Sequence, residues 1–418
     1  MHDVYIVGVG MTQFAKHLSR SIKDLTREAV TAACADVCLN KEDIQAAWFS
    51  NSMWGYFSEQ HCIRGEVALR SLGIMGIPIT NVENACAGGS TALHNAWMGV
   101  ASGLYECALA VGAEKIYNED KIKTFRAFSS GVDVELLAAT TKTQPSAEAG
   151  RHESLSSGVR AEGAGSTRSV FMDFYGMLAQ WHMRRYGTSQ QQLAVIAAKN
   201  HFHSTMNPKA QFQKDMSVEE ILAAREVSWP LTVPMCAPIG DGAAAAVVCS
   251  GDFLKRLDGA RPVKILASIL GSGTDRGMDE TDKSCSARLS RLAYDRAGVG
   301  PEDIDVAEVH DATSYGELHQ TEALGFCQAG QGGSFAESGA TTLGGKIPVN
   351  TSGGLESRGH PIGASGIGQV YELVTQLRHE AGARQVENAR IAMSENGGGS
   401  LDNEEASMGI HILERVGS

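Results

Sequence analysis

No Cys-x-x-Cys pair occurs among the nine cysteines, so the chain carries no zinc ribbon of its own and no metal site is expected. The odd cysteine count, without repeated spacing, points to free thiols in a reducing cytoplasm rather than to a disulfide framework. No apolar run approaches the length of a membrane span. The N-terminus, MHDVYIVGVG, lacks a basic region and a cleavage site, so no signal peptide is expected. Positive charge is short: 36 Lys and Arg stand against 48 Asp and Glu, a net charge of -12, which argues against nucleic acid or an anionic membrane as partner. The Gly8-Val9-Gly10 pair lacks the third glycine of a dinucleotide loop (Gln13 stands there), and no acidic residue marks a second strand end.

The 418 residues, 43% of them hydrophobic, suffice for two or three domains with a large core. Val4 to Val9 reads as a strand, Ile22 to Val37 as a helix, Asn40 to Asp43 as a turn and Ile44 to Phe49 as a strand. The plan returns later with Val263 to Leu270, Ala287 to Ala297, Pro301 to Ile304 and Val306 to Val309. Ile77-Pro78-Ile79-Thr80 is echoed by Ile347-Pro348-Val349-Asn350, each before a Gly-rich turn and a small-residue helix. These echoes indicate an internal duplication of a β-α-β-α-β unit. Two halves of this kind predict an α/β fold in five layers, αβαβα, with mainly parallel central strands. Lys121 to Thr167 is polar and turn-rich and reads as a loop excursion or lid. Helices are expected at Ser169 to Tyr186, Gln190 to His201 and Met216 to Ala224, with Phe171, Phe174, Tyr175 and Trp181 taken mainly as packing. The strand-like Gly242 to Cys249 returns to the first half.

The chemistry concentrates in Asn81 to Ala92, NVENACAGGSTA. A strand over Ile74 to Ile79 leads into Cys86, Gly88 and Gly89, and a helix follows over Thr91 to Ser102. A thiol at a helix N-terminus has its pKa lowered and becomes a better nucleophile; the competing reading is a buried structural Cys. Three further stretches are expected at carboxyl ends of strands, where ligand sites gather: Val309 to Thr313, Asn350 to Gly366 with His360 at a turn, and Ser394 to Gly399 after a strand over Ala389 to Met393. His360 is the candidate base for Cys86. The backbone N–H groups of Cys86 and Gly397 are candidates for an oxyanion hole, against the alternative of a plain glycine turn.

ENACAGGSTAL, RGHPIGASG and VHDAT, together with Tyr186-Gly187-Thr188, Asn207 to Phe212 and PIGDGAAA (238–245), resemble the motifs of the thiolase superfamily over nearly the whole chain. The nearest branch is that of the sterol carrier protein-2 type thiolases and their bacterial relatives, which include acetyl-CoA acetyltransferases and lipid-transfer-like proteins. The resemblance implies a duplicated thiolase fold with a first half over 1–120, completed by about 236–258, a loop domain over 121–235 covering coenzyme A and substrate, and a second half over 259–418. It implies Claisen-type chemistry on acyl-CoA, with Cys86 taking the acyl group, His360 activating it, His310 contacting the oxyanion or its water, and Cys86 and Gly397 binding the acyl-enzyme oxygen. Coenzyme A would be co-substrate, no cofactor would be bound permanently, and a homodimer is usual.

One departure matters. The family's second Cys, which moves the proton on the α-carbon, lies in a Cys-x-Gly motif where this chain has Glu395-Asn396-Gly397, or in the His-Asp motif where it has Ala312. His310, Tyr315, Glu395 or a water is then left to protonate the enolate that carbon–carbon cleavage releases. Relatives with this departure often work with a small zinc-ribbon and OB-fold partner. The expected activity is thiolysis of a bulky, branched or aromatic 3-oxoacyl-CoA, benzoylsuccinyl-CoA being one example. A retro-aldol lyase for a β-hydroxyacyl-CoA and a non-catalytic acyl-CoA or lipid carrier are the alternatives. Arg151, Arg160 and Arg168 are candidates to meet an acidic acyl group, against a solvated surface loop.

Overall fold

The computed structural model describes residues 2–135, 165 and 168–417. Its nine-stranded sheet comprises β1 (Val4–Met11), β2 (Ala46–Ser50), β3 (Ile79–Val82), β4 (Cys107–Glu114), β5 (Gly242–Ser250), β6 (Val263–Ser272), β7 (Val306–Glu308), β8 (Ile391–Gly398) and β9 (Ser407–Arg415). The spatial order is β3-β2-β4-β5-β1-β6-β9-β8-β7. Val349 bridges Ala307 beyond β7, in parallel. The order is therefore the same on either side of the β1–β6 junction, and the duplication is visible as two mirrored runs. The junction itself is short, pairing Tyr5 with Lys264 and Ile6 with Val263.

Alternation along the strands divides the core into layers. Cys107, Leu109 and Val111 of β4 face outward, with Ala243, Ala245 and Val247 of β5, onto the helices α1 (Ile22–Ala35) and α2 (Arg64–Arg70). Ala108, Ala110, Ala244 and Ala246 face inward onto α3 (Gly88–Ala101) and a later helix, Ser365–Leu377. That helix pair separates the two halves of the sheet. On the far side Ala267, Ile269 and Ile410 pack against Leu289 and Ala293 of the helix Cys285–Ala297. The result is five layers, with the two inner helices buried nearly all round, as their small-residue composition requires.

The inner helices approach closely because glycine lines their contact. A Cβ on Gly89 would lie within 3.1 Å of the Gly363 oxygen and the Ile367 and Gly366 nitrogens. The glycines after Cys86 thus admit a second backbone, the His360 segment.

Several expectations need correction. The strand before Cys86 is β3, over Ile79–Val82, and not Ile74 to Ile79. Gly76 turns the chain with φ +75°, and Pro78 has no N–H to give. The central strands are not mainly parallel: only β2–β3, β2–β4 and β7–β8 run parallel, while the pairings from β4 through to β8 are antiparallel. β5 arrives from outside the β-α-β run, between β4 and β1, and reverses direction there. Lys121 to Thr167 is not all loop. Asp120 caps a helix, α4 (Lys121–Phe128), through its side chain, whereas Arg151 and Arg160 lie outside the described residues. Ser394 to Gly398 belong to β8 itself. The helix expected over Met216 to Ala224 is confined to Val218–Leu222.

The inserted segment contributes α5 (Val170–Tyr186) and α6 (Gln190–Thr205), and a short hairpin of Glu226–Ser228 with Leu231–Thr232. Later come α7 (Cys285–Ala297), α8 (Ser314–Ala323) and α9 (Ser365–Leu377). No helix among the described residues is long and apolar enough to cross a membrane.

Candidate active site

Cys86 lies in a short helical turn, Ala85–Ala87, directly before α3. Ala85 holds φ at 47°, a left-handed conformation that a residue with a Cβ rarely adopts. Two contacts impose this bend. Gly398 of β8 runs so close under the turn that a Cβ there would collide with the Ala87 nitrogen and the Asn84 oxygen. Asn84 in turn donates to Thr91 at 3.0 Å.

His360 follows the turn Gly354–Arg358 and precedes α9. Its Nε2 stands 3.2 Å from Cys86 Sγ. Its Nδ1 stands 2.7 Å from Ser365 Oγ, and Ser365 donates its one hydroxyl hydrogen to the Pro361 oxygen at 3.0 Å. Ser365 can therefore only accept from the ring. This assigns the hydrogen of His360 to Nδ1 and leaves Nε2 as the bare acceptor facing the thiol. The loop is tied down by Glu114, whose carboxylate accepts from the backbone N–H groups of Ser52, Met53 and Gly363 and from Asn51.

His310 completes the group: its ring centroid is 5.2 Å from that of His360, nearly perpendicular. One ligand atom from each of Cys86, His310 and His360 falls within 4.8 Å of the others. Ser90 donates to Asn396 Oδ1 at 3.1 Å, and Asn396 Nδ2 donates to His310 Nδ1 at 3.1 Å. The same reasoning assigns the His310 hydrogen to Nε2. The two histidines thus carry opposite tautomers. His360 accepts, and His310 offers a donor.

Electrostatics corrects the expectation of a lowered thiol pKa. Burial pushes the Cys86 thiol up to about 12, Glu114 and Glu83 push the same way, and the Gly399 amide pulls only partly back. Burial, with His310 and Arg358, holds His360 well below its ordinary value, and burial lowers His310 to about 4. Desolvation outweighs the backbone amides of Gly399 and Cys86. The resting pair is neutral thiol and neutral imidazole, and the thiolate forms only when His360 takes the proton. Once His360→Asn removes that acceptor, the rate of Cys86 alkylation by iodoacetamide is accordingly expected to rise about tenfold per pH unit from pH 7 to 9. A plateau below pH 8 would reveal a preformed thiolate.

Cys86, His310 and His360 open onto a cavity of about 590 Å³. Its walls are apolar, with Phe125 and Phe128 of α4, Phe171, Phe174 and Tyr175 of α5, and Phe212. The aromatics of α5 expected to be packing therefore divide: Phe171, Phe174 and Tyr175 line the cavity, and Trp181 instead lines a smaller neighbouring space. Lys214 and Arg225 stand exposed on the same cavity. Arg168 lines it too, in an ion pair with Asp173 at 2.7 Å.

Gly397 and Gly399 both line the cavity, and the amides against the sulfur are those of Gly399 and of Cys86 itself. Ala312 is on the wall as well. The two expected proton donors are not among its lining residues. Tyr315 points to the other side of α8, 5.9 Å from His182 and stacked on His319. Glu395 sits behind His310, where its Oε2 accepts the His310 backbone N–H at 2.9 Å. Burial and Glu405 raise its pKa to about 8. Sequence reasoning missed Ser90, Asn396, Ser365 and Glu114. Ser90 and Ser365 lie inside the two motifs, but only distances show their roles. His310→Ala is expected to lower carbon–carbon cleavage about 10²-fold by removing an oxyanion donor, while Cys86 alkylation changes less than about threefold. Equal losses in both would make His310 part of thiol activation instead.

The chain matches the family model "Thiolase, N-terminal domain" over residues 4–221 and "Thiolase C-terminal domain-like" over 274–414. It is 37% identical to an acetyl-CoA acetyltransferase of Methanothermobacter thermautotrophicus, over 99% of this chain and 100% of that one. It is 38% identical to sterol carrier protein 2 of Homo sapiens, over 95% and 70%. It is 34% identical to the benzoylsuccinyl-CoA thiolase subunit BbsB of Thauera aromatica, over 95% and 94%. Among solved structures, the Ltp2-ChsH2(DUF35) aldolase shares the fold with a TM-score of 0.76 at 23% identity, covering 99% and 98%.

Proposed function

The chain belongs to the thiolase superfamily, in the sterol carrier protein 2 thiolase branch, and on that premise we propose that it cleaves a bulky or aromatic 3-oxoacyl-CoA with coenzyme A through an acyl group held on Cys86. The observation that carries this reading is the 3.2 Å contact between Cys86 Sγ and the unprotonated Nε2 of His360, at the floor of a phenylalanine-walled cavity. An idle carrier site has no use for a base aimed at a thiol. A retro-aldol lyase needs no nucleophile.

In the proposed cycle His360 Nε2 takes the thiol proton as Cys86 Sγ attacks the 3-oxo carbon. His310 Nε2–H and the amides around Cys86 and Gly397 receive the negative oxygen. The C2–C3 bond breaks and the shortened acyl-CoA leaves as an enolate, which takes a proton. The thiol of coenzyme A then attacks the Cys86 thioester, and Cys86 leaves and recovers its proton from His360. Lys214 and Arg225 are placed to meet coenzyme A phosphates. No resident cofactor is needed. The phenylalanine walls and the likeness to a benzoylsuccinyl-CoA thiolase subunit support an aromatic acyl group.

That relative's designation as a subunit supports a partner protein for this chain. The proposed partner is a small zinc-ribbon and OB-fold protein. The edge of β3, unpaired among the described residues and with Thr80 and Asn81 exposed, suits a homodimer contact in the cytoplasm. The test is a panel of aliphatic and aromatic 3-oxoacyl-CoA and 3-hydroxyacyl-CoA esters, with coenzyme A present or omitted. The proposal expects cleavage of aromatic 3-oxo esters that requires coenzyme A. Cleavage of 3-hydroxy esters without coenzyme A would identify a lyase, and binding without turnover a carrier.

A further inference from the structure

The cycle above leaves one proton unassigned, that taken by the α-carbon of the departing enolate. We propose that Glu356 delivers it as a carboxylic acid and later takes the thiol proton of the incoming coenzyme A, an assignment that rests on the thiolytic reading.

Glu356 lies in the turn Gly354–Arg358 that leads into His360, and it lines the cavity together with Cys86, His310 and Ala312. Behind the wall it belongs to a buried cluster. Ser314 donates to its Oε1 at 2.6 Å, and Asn200 Nδ2 lies 3.0 Å from its Oε2. The same Nδ2 lies 3.1 Å from Asp311 Oδ2 and 2.9 Å from Glu317 Oε2. An amide has two hydrogens and cannot serve three carboxylate oxygens fully. Asn200 Oδ1, also buried, has no hydrogen-bond partner among the described residues. Asp311 and Glu317 have further donors, the Leu355 N–H at 2.7 Å from Asp311 Oδ1 and Asn350 Nδ2 at 2.8 Å from Glu317 Oε2, whereas among the described residues Glu356 Oε2 has the shared Asn200 amide alone, the position of a carboxyl that retains a proton. Lys199, paired with Glu317 at 2.5 Å, is the cation set against these three acids. Three buried carboxylates cannot all stay ionised beside one ammonium. In keeping with this count, burial raises Glu356 to about 8 and Asp311 well above its ordinary value. Of Asp311, Glu317 and Glu356, only Glu356 lines the cavity.

The proton balance closes. As the C2–C3 bond breaks, its electron pair stays on C2 and takes the Glu356 proton, leaving Glu356 ionised and His360 protonated. The thiol of coenzyme A gives its proton to Glu356 as sulfur attacks the thioester. Cys86 departs as thiolate and takes the proton on His360. Both groups return to their starting states without an outside donor.

The test compares wild type, Glu356→Gln, Glu405→Gln and Cys236→Ser, since Glu405 and Cys236 also line the cavity. Three rates are read: benzoyl transfer from 4-nitrophenyl benzoate to Cys86, a step with no α-proton and a leaving group that departs without a proton; thiolysis of 3-oxo-3-phenylpropanoyl-CoA; and deuterium uptake at C2 of acetyl-CoA in D2O by the benzoylated enzyme. Glu356→Gln is expected to keep benzoyl transfer within about threefold and to lower thiolysis and deuterium uptake by about 10²–10³-fold. Preserved benzoyl transfer also shows that the variant folds. If it does not fold, Glu356→Asp, which withdraws the acid by one methylene, carries the same expectation. Deuterium uptake at the wild-type rate in Glu356→Gln, or its loss in Glu405→Gln or Cys236→Ser instead, overturns the assignment to Glu356 alone. Failure of wild-type Cys86 to accept a benzoyl group from 3-oxo-3-phenylpropanoyl-CoA overturns the thiolytic reading and this assignment with it.

Discussion

Cys86→Ala is expected to lower kcat/KM for thiolysis by at least about 10³-fold, because it removes the atom that carries the acyl group. His360, Ser365 and His310 keep their hydrogen bonds to one another's surroundings without the sulfur. Alanine already occupies both flanking positions of the turn, so the variant should fold with a stability change of no more than about 1 kcal/mol. Steady-state thiolysis measured beside thermal unfolding checks this. Retained thiolysis in a folded Cys86→Ala protein would refute a covalent route.

His360→Asn should lower acyl transfer by about 10²–10⁴-fold, the usual contribution of a positioned general base. The argument turns on the sign of two shifts. The thiol is raised to about 12 and the imidazole is held low, so at neutral pH neither carries charge and the thiolate needs a nearby acceptor. Without His360 the thiol must ionise to solvent. The residual rate of the variant should then climb about tenfold per pH unit through pH 9, and the gap to wild type should narrow. A pH-independent deficit would instead make His360 an oxyanion ligand only. Single-turnover acylation between pH 6.5 and 9.5 distinguishes the two.

The pairing of Cys86 with His360 was legible in the sequence because each sits in a glycine-bounded turn before a small-residue helix, and the duplication places those turns opposite each other. The layer order was legible from the echoes between the halves. Strand direction was not. Gly242–Ser250 is buried along its whole length, and an unbroken small-apolar run reads as parallel although both of its neighbours are antiparallel. The raised thiol pKa is hidden from the sequence for a related reason. A helix N-terminus is a local, readable feature, whereas desolvation by α5 and the glycines of β8 comes from residues far away in sequence. Tyr315 follows the VHDAT motif closely enough to suggest a role, yet one residue is about 100° of helix turn, and that rotation carries it to His182 and His319. Glu356, inside the SGGLESRGHP stretch, carries no signal of its own in the sequence, because its role depends on Asn200, Asp311 and Glu317.

The most direct test of the account is the intact mass of the protein after mixing with an aromatic 3-oxoacyl-CoA, followed by peptide mapping. The account predicts a mass gain equal to the acyl group, located on Cys86, absent in Cys86→Ala and discharged by added coenzyme A. Turnover of the ester by a protein whose Cys86 is never acylated would contradict it.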